Sequence, residues 1–337
     1  MKKELLMASA LVSTLGVASV AQAVTATMAG SMKIGVEFES ADDASTDTNN
    51  VKDQSNFNIS LSETTDAGTT ISTSFEIVDE GTVAADDDNA LKLTFTDGSA
   101  LELLNAGSAA GTHAVSVPGA SGEQGVGGTS TNNAPTGVSF SAPSTVLGVE
   151  WHSAADFMAD GLKVSASIST DDGTAKGATP RTENAWGVGA TYVTTAGDSD
   201  VTVGMGIAGA THKNTGSDAT NPSGGFHVGV SAVTGDLTIA AGYADGDKVS
   251  VGGTTNDEAE ISDNTVTKVG IKYVTGDITL SAGYTAAEGK DSDTLGTKGT
   301  TMDSVDITEI GVSYAVASGV TANLGWKDTV SSDEGIS

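Results

Sequence analysis

Residues 268–284 read KVGIKYVTGDITLSAGY, and residues 227–243 read HVGVSAVTGDLTIAAGY. A third copy, EIGVSYAVASGVTANLGW, occupies 309–326, so His227, Lys268 and Glu309 open copies spaced by 41 residues. A looser copy, WGVGATYVTTAGDSDVTVGMGI, occupies 186–207. Each is an alternating run, a tight turn rich in Gly and Asp, and a second alternating run: a β-hairpin repeated at a fixed period. Successive side chains of a strand point to opposite faces. In 268–274, Lys268, Gly270 and Lys272 share one face, and Val269, Ile271 and Tyr273 share the other. In 278–284, Thr279, Ser281 and Gly283 oppose Ile278, Leu280, Ala282 and Tyr284. A β-propeller also repeats near 40 residues, but it needs four strands per repeat where these periods hold two.

A sandwich of two sheets would alternate in the same way, so the positions of the rings carry more information. Trp151, Trp186, Tyr192, Tyr243, Tyr273, Tyr284, Tyr314 and Trp326 fall on the apolar face and near strand ends. Rings at both ends of an aliphatic band suit a membrane-spanning barrel, because Tyr and Trp favour the headgroup layer. The expected fold is all-β, a transmembrane antiparallel up-and-down barrel.

Upstream of the repeats, Lys2 and Lys3 precede an apolar stretch over 5–20 and the small-residue site Ala21-Gln22-Ala23. This is the pattern of a secretory signal peptide, 1–23, with cleavage expected before Val24. No later stretch offers about 18 consecutive apolar residues, so no helical anchor is expected, while barrel strands of about ten residues remain open. The remainder, 24–337, shows no linker and reads as one barrel domain. Cysteine is absent, which excludes a small disulfide scaffold. The formal charge of −29 makes nucleic acid an unsuitable partner.

Fifteen strands are expected, at 26–39, 54–63, 69–78, 89–96, 100–106, 145–152, 161–170, 184–194, 200–211, 224–234, 236–246, 264–274, 277–287, 304–316 and 319–329. Their connections alternate between short (such as 97–99, 195–199 and 275–276) and long (such as 40–53, 107–144 and 247–263). Short turns on one side and long loops on the other are the wiring of an outer-membrane barrel.

With the export signal, the opening strand TATMAGSMKIGVEF (25–38), the pair FNISLSETTDAGTTISTSFEI (57–77) and one dominant loop after the fifth strand, the chain resembles a general-diffusion porin of the Gram-negative outer membrane, of the alphaproteobacterial type. The resemblance implies sixteen strands, a homotrimer in outer-membrane lipid, and a loop, 107–144, folded into the lumen. It implies a water-filled channel for passive diffusion of small hydrophilic solutes and ions, not an enzyme. An acidic secreted or cell-surface β-rich adhesin or layer protein is the alternative. The chain departs from the family in its fifteen strands and in ending on SSDEGIS, so a closing strand is expected to be missing and the edges of strands 1 and 15 to lie unpaired. Its long loop also lacks the family's dense acidic cluster and Pro-Glu-Phe-Gly stretch.

If water fills the barrel, the polar strand face lines it. By parity that face takes Lys33, Glu37, Glu76, Lys92, Glu102, Glu150, Lys163, Lys268, Lys272, Glu309 and Lys327. Such charges set ion preference in a narrow pore; the plainer reading is solvated charge on the wet side of a sheet. In the loop, His113 and Glu123 are the candidates for the constriction, against the plainer reading of a surface loop. Acids crowd the other long loops, among them Asp86, Asp87 and Asp88. They read as a repelling solvated surface or a negative outer mouth, with divalent cations such as Ca²⁺ held loosely at most. No other cofactor and no firm metal site is expected. His113, His152, His212 and His227 lack metal-ligand spacing and read as incidental. Gly204-Met-Gly206-Ile-Ala-Gly209 matches a dinucleotide pattern only formally, since it lies within a strand and no helix follows.

Overall fold

The computed structural model describes residues 7–15, 24–39, 48–79, 83–85, 91–103, 108–119, 146–171, 181–213, 220–251, 259–290 and 301–335. They form one antiparallel sheet closed on itself. Its strands are β1 (Met7–Leu15), β2 (Thr25–Glu39), β3 (Thr48–Thr64), β4 (Thr70–Asp79), β5 (Val83–Ala85), β6 (Leu91–Thr94), β7 (Ala100–Leu103), β8 (Val146–His152) and β9 (Leu162–Asp171). They continue with β10 (Arg181–Ala196), β11 (Ser199–Lys213), β12 (Thr220–Thr234), β13 (Leu237–Val251), β14 (Ala259–Thr275), β15 (Ile278–Lys290), β16 (Thr301–Ala317) and β17 (Val320–Gly335). Apart from β5 and β6, each pairs with its neighbours in the chain, and β1 meets both β2 and β17, which closes the ring. β5 and β6 both pair with β4 and share one place, so seventeen strands fill sixteen positions.

β2 to β17 correspond to the fifteen expected strands. They run further than expected on the side of the long connections: β14 starts at Ala259, not 264, and β13 reaches Val251, not 246. Alternation fades there, but the backbone ladder continues (Asp247↔Asp263, Val251↔Ala259) because cross-strand hydrogen bonds do not need an apolar face. The short connections are tight because glycine takes a backbone other residues resist, as at Gly235 (φ 57°) and Gly276 (φ 58°).

One feature departs from the sequence reading. Within the segment read as an export leader, Met7–Leu15 is a strand, paired to β2 from Met7↔Ile34 to Leu15↔Ala26 and to β17 at Ala8↔Thr321. Of the edges expected to lie bare, that of β2 is covered along Met7–Leu15 and that of β17 is met at Ala8↔Thr321. An unpaired edge in hydrocarbon leaves several backbone groups unsatisfied, and the apolar leader offers them partners.

The distribution of apolar side chains is the reverse of a soluble domain. The buried apolar residues are small ones such as Ala185, Ala208, Ala240 and Ala244, while Ile271 is 44 % exposed, Leu280 43 % and Tyr284 41 %. Aliphatic residues therefore face outward, and among the described residues no second sheet covers them. No helix among the described residues is long and apolar enough to cross a membrane.

Candidate functional site: the lumen wall and its docked loop

Register decides which side chains share the inner face. A row of cross-strand neighbours, Lys92↔Glu102↔Glu150↔Ser167↔Gly187, runs across five strands. Further round the ring run Gly242↔Lys268↔Thr285 and Gly283↔Glu309↔Lys327. Lys33, Lys163 and Lys272 belong to the same face, through Ala8↔Lys33, Thr191↔Lys163 and Lys272↔Ser281. Glu37 and Glu76 pair with Asn50 and Asn58, but their side chains lie outside the described residues, as do Glu123, Asp86, Asp87 and Asp88. Access differs from residue to residue. Glu150, Glu309 and Lys268 are 2 %, 4 % and 5 % exposed, whereas Lys33, Lys92, Lys163, Lys272, Lys327 and Glu102 keep contact with solvent.

The opposite face carries the rings. Trp186, Tyr192, Tyr273, Tyr284, Tyr314 and Trp326 are exposed, and Trp151 meets Phe157 edge to face at 5.6 Å. The Tyr243 hydroxyl donates to Asp245 Oδ2 at 2.9 Å and the Tyr284 hydroxyl to Asp306 Oδ1 at 2.7 Å. A ring with a wet hydroxyl suits a headgroup boundary.

Part of the long loop, Ser108 to Gly119, lies against the inner wall and includes one helical turn, α1 (Ala109–Thr112). Glycines make room for it. A Cβ built on Gly189 would stand 2.4 Å from Ala109 O, on Gly204 2.2 Å from His113 O, and on Gly270 2.0 Å from Pro118 O. At Gly206, Gly229 and Gly283 an added Cβ would stand 2.6 Å from Ala110 O, 2.9 Å from Val115 Cβ and 2.8 Å from Pro118 O. These glycines face inward on β10, β11, β12, β14 and β15, so the small-residue face of the repeat is a cradle for backbone. Polar side chains then fasten the loop. Ala109 N–H donates to Ser167 Oγ (2.9 Å), the Thr112 hydroxyl to Glu150 Oε1 (2.9 Å), and His227 Nε2–H to Ala110 O (2.6 Å). His113 lies between Thr191 Oγ1 (Nδ1, 2.7 Å) and Ser165 Oγ (Nε2, 2.8 Å).

The histidines are thus not scattered. Sequence spacing hides this, because His113 and His227 are brought together by a loop crossing the lumen and His152 reaches Ser165 across the β8–β9 pair. His212 Nε2 meets Ser223 Oγ (2.7 Å). The one sequence signal for the cradle was glycine recurring at inward parity, in GVG (187–189), GMG (204–206) and KVG (268–270). Gly204 and Gly206, formally part of a nucleotide pattern, face the loop and His227.

Burial holds the His113 imidazole down to about 4, with His152, Lys163 and His227 facing it from β8, β9 and β12 and adding to the shift. It is therefore neutral while docked. A released loop would take up a proton near the ordinary 6.5, so acid favours release: docking stability is complete above about 6.5 and declines as pH falls toward 4. Conductance measured from neutral pH down to about 4 should change through that window, and His113→Gln should flatten the change. A profile identical in the two proteins would remove His113 from this role.

The comparisons agree with this architecture. The family model described as Gram-negative porin matches residues 8–333. The chain belongs to the Gram-negative porin family. This porin is an outer-membrane channel for passive diffusion, and the adhesin alternative is not favoured. Among solved structures, OmpTΔL8 of Vibrio cholerae has a TM-score of 0.58 at 17 % identity, covering 96 % of this chain and 95 % of that one. The anion-selective porin from Comamonas acidovorans has a TM-score of 0.56 at 11 % identity, covering 97 % and 88 %. Salmonella typhi OmpF in complex with daunomycin has a TM-score of 0.54 at 14 % identity, covering 94 % and 100 %. These likenesses share the fold. No curated protein matches the chain.

Proposed function

We propose that this porin passes small hydrophilic solutes and ions through a lumen narrowed by the docked segment 108–119, without catalysis or a tightly held cofactor. The observation that carries the reading is the cradle, because a wall that fits the loop's backbone at Gly189, Gly204 and Gly270 commits the loop to the inside. Sieving by width and bias by wall charge are then the mechanism. Lysines outnumber acids among the described wall charges that water reaches (Lys33, Lys92, Lys163, Lys272 and Lys327 against Glu102), while Glu150, Glu309 and Lys268 are withdrawn from it. Replacing Lys163 and Lys327 together by Glu should move the reversal potential under a salt gradient toward cation preference. An unmoved potential would place both side chains off the conducting path.

Purified protein in a planar bilayer should give discrete conductance steps, and a membrane without steps would contradict the proposal. One V. cholerae OmpT structure is described as a trimer, and a homotrimer in outer-membrane lipid is proposed for this chain as well. We also propose that 1–23 is removed during export, so that protein recovered from outer membranes begins at Val24 and the edges of β2 and β17 are then no longer met by β1. Divalent cations are proposed to associate only loosely with the acidic long loops.

A further inference from the structure

Where β7 meets β8, a cluster on the inner wall offers more than wall charge and an anchor for the loop. Glu102, Glu150 and His152 come from facing positions (Ala100↔His152, Glu102↔Glu150) and each offers one ligand atom, all within 4.8 Å of one another. His152 Nε2 stands 3.4 Å from Glu102 Oε1 and 3.8 Å from Glu150 Oε1, and it is buried without a hydrogen-bond partner. Its other nitrogen, Nδ1, is 2.9 Å from Ser165 Oγ, which also meets His113 Nε2 at 2.8 Å. The serine has one proton for two ring nitrogens, so one imidazole must donate to the serine oxygen. With His152 donating through Nδ1, its Nε2 lone pair faces two carboxylates and a cation between them would satisfy all three; with Ser165 donating to Nδ1 instead, Nε2–H faces them at 3.4 Å and 3.8 Å. The spacing suits a metal ion better than a shared proton. A tetrahedral ion with bonds of ~2.1 Å holds its ligands roughly 3.4 Å apart, whereas a charge-assisted hydrogen bond would close to about 2.8 Å.

We infer that Glu102, Glu150 and His152 bind a divalent transition-metal ion of the zinc class from the solution in the lumen. An imidazole beside two carboxylates favours zinc over calcium or magnesium, which take oxygen ligands. Outer contacts already orient two of the ligands: Ser165 holds His152, and Thr112 of the docked loop donates to Glu150 Oε1 at 2.9 Å. A bound ion would therefore sit at the root of the loop. Lys92 Nζ, 2.7 Å from Glu102 Oε1, is a rival cation for the same carboxylate.

The inference takes from the channel reading only that lumen water reaches the wall, and its test reads binding instead of transport. Full-length protein folded in detergent micelles is dialysed against Zn²⁺, with heat-shifted mobility in SDS as the check of folding. The wild type should hold Zn²⁺ at one site per chain that excess Ca²⁺ does not displace. His152→Ala should weaken that site more than about tenfold. Lys92→Gln, which keeps all three ligands, should tighten it, and it decides the matter if His152→Ala does not fold. Zn²⁺ binding that is absent, that calcium displaces, that equals the binding of folded His152→Ala, or that is unchanged in Lys92→Gln overturns the site.

Discussion

A barrel carrying Gly270→Val folds and inserts but no longer holds its loop against the wall. A Cβ at this position would stand 2.0 Å from Pro118 O and 2.9 Å and 3.0 Å from Pro118 C and N, all backbone atoms that cannot rotate aside. Either β14 or the loop must move. β14 is paired along its length with β13 and β15, so the loop yields. Overpacking of this kind costs about 1–3 kcal/mol, which shifts a docked-to-released ratio by about 5- to 150-fold. Gly204→Val, whose Cβ would stand 2.2 Å from His113 O, should act in the same direction. Gly111→Ala serves as the control, because its added carbon meets nothing within 4 Å. Single-channel conductance and liposome swelling with sugars of increasing size should both rise in the two valine variants and not in the alanine one. Wild-type conductance in both valine variants would mean that 108–119 does not narrow the lumen.

Ile271→Lys is expected to abolish the folded, SDS-resistant barrel or deplete it severely. Ile271 points outward and lies between the level of Tyr273 and that of Tyr284, which pairs with Val269. A lysine there stands in hydrocarbon, at a cost of about 2–4 kcal/mol near the bilayer midplane. Its chain neighbour makes the contrast, since Lys272 carries the same charge on the wet face, opposite Ser281. Thr279→Lys, on that face two residues from Ser281, should be accepted. The measurement is the fraction of protein with heat-shifted mobility after folding into detergent or lipid. Equal yields for Ile271→Lys and Thr279→Lys would reverse the facing of the whole sheet.

Much of this could be read without coordinates. Val269, Ile271 and Tyr273 on one side and Lys268, Gly270 and Lys272 on the other specify two unlike environments, and strand geometry admits one way to separate them. The hairpin turns at Gly235 and Gly276 were equally plain, because turn chemistry is local. The strand ends on the long-connection side were not, since pairing such as Asp247↔Asp263 leaves no apolar period to detect. Nor was the strand Met7–Leu15, whose apolar composition reads as a leader and whose place in the ring depends on two distant edges.

The candidate site divides in the same way. Parity alone assigned Glu150 and Glu309 to the inner face, yet their burial follows from neighbours and from the loop, which parity does not see. His113 lies 52 residues before Ser165 and 39 before His152, and it joins that β8–β9 pair only because a loop folds back across the wall. By itself the amino-acid order determined the barrel and its two faces, because a period of two is a property of neighbours along the chain. The tertiary structure decided where the loop rests, which charges water can reach and which side chains converge on Nε2 of His152. Those depend on ring closure and register, and they exist only once every strand has found its partner.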